Sequence, residues 1–113
     1  MPRVCKIETI TSMFIYNVTT KVEHPVSTEW LQWLQQVHIP AMIATGCFTK
    51  AVILKLKAVD DSDGLTYAVQ YYANNETDYE KYLANFATDL RAEALNKWGD
   101  KIISFRTIME VVN

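Results

Sequence analysis

The chain has 113 residues, of which 50% are apolar and 21% charged, and its formal net charge is −2. That size suits one domain burying roughly 65% of the surface its unfolded chain exposes, and the composition excludes a disordered chain. The slight acidity and the lack of any run of basic residues exclude a dedicated binder of nucleic acid or anionic membrane.

The first twelve residues are β-prone and either extend the following strand or form an arm; their role is open. From Met13 to Val22, Phe14, Tyr16 and Val18 alternate with Ile15, Asn17 and Thr19, which predicts a strand. His24-Pro25 ends it, because proline removes a donor and pushes the preceding residue out of helical space. Ser27 or Thr28 then caps a helix whose stripe is Trp30, Leu31, Leu34, Val37 and His38. Pro40 interrupts the hydrogen-bond ladder, so helix is expected to about Val37, then a break and a short turn to Ala44, with Gly46 as a left-handed cap.

Residues 47–59 are predicted as a second strand and Leu65–Ala73 as the third, the two forming a hairpin. Its loop, Asp60-Asp61-Ser62-Asp63-Gly64, reads as a turn, since it lacks the ligand set of a calcium loop. Thr77 and Glu80 fit a capping box that opens one long helix to Trp98, with Tyr79, Tyr82, Leu83, Phe86, Leu90 and Ala94 on its buried stripe. Residues 101–112 alternate again and make a fourth strand. The order β-α-β-β-α-β is the ferredoxin-like pattern, an α+β fold in which a four-stranded antiparallel sheet carries both helices on one face. The expected domain spans the whole chain, 1–113. Its sheet has apolar or aromatic residues on both faces, which calls for a partner, and a two-fold homodimer is the commonest solution.

The segments IYNVT, EWLQWLQQVHIPAMIATGCFT, YAVQYYA and LRAEALNKWGDKIISFRTIMEVV resemble a family of short bacterial proteins known only as a domain of unknown function. Trp30, Trp33, His38, Pro40, Gly46, Phe48, Tyr67, Gln70, Tyr71, Leu90, Arg91, Phe105, Arg106 and Glu110 stand where that family's pattern places them. The resemblance runs from Met13 to Val112, so residues 1–12 precede where such proteins usually begin, and Met13 is an alternative start. The His38-Ile39-Pro40 segment is also similar to that of dimeric α/β-barrel proteins, among them small monooxygenases, dehydratase-like and haem-degrading enzymes. That likeness implies two sheets packed face to face and a cavity able to hold a ligand.

His38 is the sharpest candidate site residue. Beside a helix C-terminus the macrodipole favours its protonated ring, so it suits acid–base work or haem iron; the plainer role is a C-cap. Arg91 and Arg106 suit capture of a carboxylate, while a structural ion pair, for Arg106 with Glu110 across subunits, is the competing role. Tyr16, Asn17, Tyr67, Gln70, Tyr71 and Tyr72 are positioned to line a pocket, although half must face the helices. Trp30, Trp33 and Trp98 read as packing anchors. Cys47 has no adjacent base and reads as inert and buried, and the wide separation of Cys5 and Cys47 supports reduced thiols. Residues 65–72 lack the basic residue and first aromatic of an RNA-binding strand.

The expected protein is thus a cytoplasmic homodimer that binds a small ligand near the first helix through His38, Tyr16, Tyr67, Tyr71 and Arg106, with no metal, cofactor, nucleic acid or membrane. No apolar run approaches the ~20 residues of a membrane span, and no signal-peptide core follows Arg3 and Lys6. Two alternatives stand beside it: a non-catalytic dimerisation or protein-interaction module, and a cofactor-free monooxygenase-like enzyme.

Overall fold

A computed structural model describes residues 13–112. The expectations for residues 1–12, Cys5 included, lie outside the described residues. Strand β1 (Phe14–Val22) is followed by a 3-10 turn (His24–Val26), helix α1 (Ser27–Trp33), a π-turn (Leu34–His38) and helix α2 (Ile39–Ala44). Then come β2 (Lys50–Lys55), β3 (Leu65–Ala73), α3 (Glu76–Asn85), α4 (Ala87–Trp98), a 3-10 turn (Gly99–Lys101) and β4 (Ile102–Glu110). The sheet order is β2-β3-β1-β4, antiparallel throughout, as the ferredoxin-like pattern requires.

Strand register decides which side chains share a layer. Tyr16 stands opposite Tyr71 and Ile108, and Val18 opposite Val69 and Arg106. Because side chains alternate across a strand, these residues all point to one face. Tyr16, Val69 and Tyr71 there join Trp30, Leu34, Met42, Tyr82, Ala87 and Trp98 in a single buried core. The other face holds Ile15, Asn17, Gln70, Tyr72, Ile103 and Phe105, with the last two 70% and 61% exposed.

Four local expectations are corrected. Pro40 does not break the first helix: the chain widens into a π-turn, where the Ile39 N–H reaches back to the Leu34 carbonyl, and α2 starts with Pro40 in its first turn. There a missing N–H is tolerated. Neither Ser27 nor Thr28 caps α1, which grows directly out of the preceding turn; the Ser27 hydroxyl instead donates to the His24 carbonyl at 3.1 Å. The long second helix is two. Asn85 Nδ2 donates to the Lys81 carbonyl at 3.0 Å, Phe86 leaves helical geometry at φ −129°, and Leu83 and Phe86 stay largely exposed. Its cap is Asn75, whose side chain accepts from Asp78 N at 2.9 Å, and not Thr77.

The second strand is also shorter than expected. Cys47 and Phe48 are buried ahead of it, and the chain has left the sheet by Ala58, at φ +57°. Gly46 behaves as the left-handed residue the sequence asks for, at φ +79°. The hairpin loop closes against β1, with Lys21 paired to Asp63 at 2.6 Å. A Cβ on Gly64 would lie 2.5 Å from the Val22 carbonyl oxygen, so only glycine fits that crossing.

Candidate functional site

Between the sheet and the α1–π–α2 arm lies a space of about 50 Å³, closed on its far side by α4. Tyr16 and Val18 come from β1, Ser104 and Arg106 from β4, Trp33, Leu34 and His38 from the arm, and Leu90, Arg91 and Ala94 from α4. Among the described residues, no aspartate or glutamate lines it.

Its polar centre is the Tyr16 hydroxyl. Arg91 Nη2 donates to it at 3.1 Å and Arg106 Nε at 2.9 Å, from opposite walls. Two cations thus share one neutral acceptor. Arg91 Nε is buried and has no partner among the described residues. The ion pairs among the described residues are Lys21–Asp63 and Lys101–Glu23, so among these residues Arg106 bonds a phenol and not a carboxylate. Tyr71 and Tyr82 pack on Tyr16, with ring centres 6.0 and 5.4 Å away. Burial holds both of their phenols well above the usual range, so they remain protonated.

His38 corrects a further expectation. It caps no helix end, since the helix runs on through it and its side chain bonds no terminal carbonyl. The ring stacks on Trp33 with centres 4.7 Å apart and planes at 21°, and Trp33 meets the edge of Trp98 at 5.8 Å. Burial, and then the nearby Arg106 charge, lower its pKa to about 4. The imidazole is therefore neutral near pH 7, opposite to what a helix-end position implies.

Of the candidates named from sequence, His38, Tyr16, Tyr71 and Arg106 meet at this space. Tyr67 does not: it lies farther along β3 and packs on Trp30 at 5.4 Å. Asn17, Gln70 and Tyr72 face the other side of the sheet. Trp33 serves as a packing anchor and also lines the space. Arg91, paired with Arg106 as a carboxylate-capture candidate from sequence, lines the space as well, whereas Ser104, whose hydroxyl bonds Thr20 at 2.8 Å, was not anticipated. The signal for Arg91 was there to see, because it breaks the buried row Ala87, Leu90, Ala94 and Trp98 of α4. A charge on an apolar stripe is rarely left without a purpose.

A family described as a domain of unknown function (DUF4286) matches residues 13–112. The chain belongs to this family. No curated protein matches the sequence at a significant level. Among solved structures, a dimeric ferredoxin-like protein from an uncultured marine organism is similar, with a TM-score of 0.70 at 8% identity, covering 89% of this chain and 96% of that one. A Bacillus cereus protein described as a putative antibiotic biosynthesis monooxygenase has a TM-score of 0.62 at 16% identity, over 90% and 95% of the two chains. A protein from Bacillus halodurans described as an EthD family protein reaches 0.60 at 10% identity, over 86% and 98%. At such identities the likeness is one of fold, and folds of this kind host many chemistries. No helix among the described residues is long and apolar enough to cross a membrane.

Proposed function

We propose that this DUF4286 member is a homodimer that binds a small organic molecule in the space between its sheet and the α1–π–α2 arm. One observation carries the reading: Arg91 and Arg106 converge on Tyr16 at a largely apolar space where no described residue offers them an acidic partner. Arg91 is half-buried, and a cation held there only for structure would normally meet a carboxylate, while Arg106 stands exposed at the mouth of the same space. Space of this kind, apolar with a few convergent polar groups, is what small-ligand sites look like. The homodimer is supported by the apolar outer face of the sheet and by the dimeric neighbour of the same fold.

The test is a thermal-shift screen of the purified protein against a library of small metabolites, repeated on a His38→Ala variant with native circular dichroism. We expect at least one compound to raise the melting temperature of the native protein and to lose that effect in the variant. A screen in which every stabilising compound acts equally on both proteins would remove the basis for the site. For any captured compound, oxygen uptake in its presence separates an enzyme of the monooxygenase kind from a binding protein.

A further inference from the structure

We infer that the cavity takes the carboxylate of a small aliphatic acid, gripped by Arg91 and Arg106 beside the Tyr16 hydroxyl. This rests on the reading of that space as a ligand site and names the class of ligand. A guanidinium carries five N–H donors, and each arginine directs a single hydrogen bond to Tyr16. The Tyr16 oxygen is thereby occupied as an acceptor by both. Arg91 Nε, buried and unpartnered, is a further donor beside the same space. Donors therefore gather at one point with two positive charges and no anionic partner among the described residues.

Three features favour a carboxylate over other anions. Its two coplanar oxygens match the fork of a guanidinium, so it can take paired N–H bonds from either arginine. A phosphate would present four oxygens, and two of the hydroxyls along the wall, those of Ser104 and Thr20, already bond each other at 2.8 Å. The remaining wall includes Val18, Leu34, Leu90 and Ile102, which suits a short hydrocarbon stem and not a hydrated inorganic ion. The enclosed 50 Å³ corresponds to about four water-sized positions, enough for a carboxylate and one or two carbons. A longer acid has an exit past Arg106, which is itself exposed on the edge strand β4. His38 fits the same picture, because a neutral ring adds no third charge and leaves a hydrogen-bonding edge for the ligand.

The experiment measures binding to the native protein by calorimetry, with acetate and propionate as probes, acetamide and propionamide as their uncharged isosteres, and inorganic phosphate as a second anion. We expect both acids to bind competitively, the amides at least tenfold more weakly, and Arg106→Gln to weaken the acids at least tenfold while leaving the amides unmoved. Arg106→Gln is the first variant because its exposed position leaves the core intact; Arg91→Gln follows, with its fold checked by circular dichroism. Amides that bind as well as the acids would overturn the carboxylate assignment yet leave a ligand site standing. Phosphate binding more tightly than either acid would also overturn it. If none of the probes binds and the metabolite screen also finds nothing dependent on His38, both the ligand class and the site itself fall.

Discussion

At the scale of single residues, His38 shows how neighbours decide what a side chain can do. Its ordinary pKa is near 6.5, and burial followed by the Arg106 charge brings it to about 4 in the folded protein. The unfolded chain therefore takes up a proton between those values and the folded one does not. Stability is complete above pH 6.5 and falls as the pH drops toward 4, by at most about 3 kcal/mol. Urea unfolding at pH 7.0, 6.0 and 5.0 should show this decline, and His38→Gln should flatten it. An unchanged slope in the variant would mean that the titration belongs to another group. The low carboxylate values at Asp60 and Asp63, set mainly by bonds to Ser62 and Lys21, act at lower pH and leave this window clear. Tyr16 permits a second measurement. Replacing it with phenylalanine strips two charged donors of their acceptor and should cost about 1–3 kcal/mol in the same unfolding assay.

Elements placed these residues by means that local propensity only partly reveals. In a regular α-helix, positions five apart lie about 140° from each other around the axis. Trp33 and His38 could not stack there. The π-turn between Leu34 and His38 winds one extra residue into the turn and brings the two rings onto one side, where they wall the cavity. The proline that seemed to end the helix sits instead where the widened turn has already released an N–H. On the opposite wall, the break at Phe86 lets α4 set its own rotation, so that Leu90, Arg91 and Ala94 face the sheet. Asn75 as the cap of α3 is directly testable: Asn75→Ala should lower stability by about 1 kcal/mol. Thr77→Ala should stay within about 0.5 kcal/mol of native, since Thr77 is exposed and caps nothing. A larger loss at Thr77 than at Asn75 would restore the capping box expected from sequence.

For the molecule as a whole, the unanswered surface is the outer face of the sheet. Ile103 and Phe105 project from β4 with most of their area in water, and Ile15, Tyr72 and Met109 share that face. Asn17, at the middle of the same face, has a buried carbonyl oxygen with no partner among the described residues. A second copy placed on this face would cover the apolar rim. Its cavities would stay separate, because each lies on the helical side of its own sheet. Phe105→Asp should accordingly convert the proposed dimer to a monomer in light scattering after gel filtration, with the far-ultraviolet spectrum unchanged. A variant that remains fully dimeric would move the interface elsewhere.

The sequence by itself determined the strand count, the order of elements and the resemblance to the family, because two-residue and three-to-four-residue periodicities follow from backbone geometry alone. It also drew attention to His38, Tyr16, Tyr71 and Arg106, since polar or titratable residues in apolar patterns stand out without a structure. Which tyrosines face the helices was not legible. Alternation divides a strand into two sets, and only the packing of the helices says which set is covered, so Tyr67 and Tyr71 differ by their neighbours and not by their pattern. The charge state of His38 belonged to tertiary structure as well, because it depends on burial and on an arginine 68 positions away in sequence. The meeting of Arg91 and Arg106 on one phenol was decided there too: β1, near the start of the chain, had to be folded against α4 and β4 near its end before the two charges shared a site.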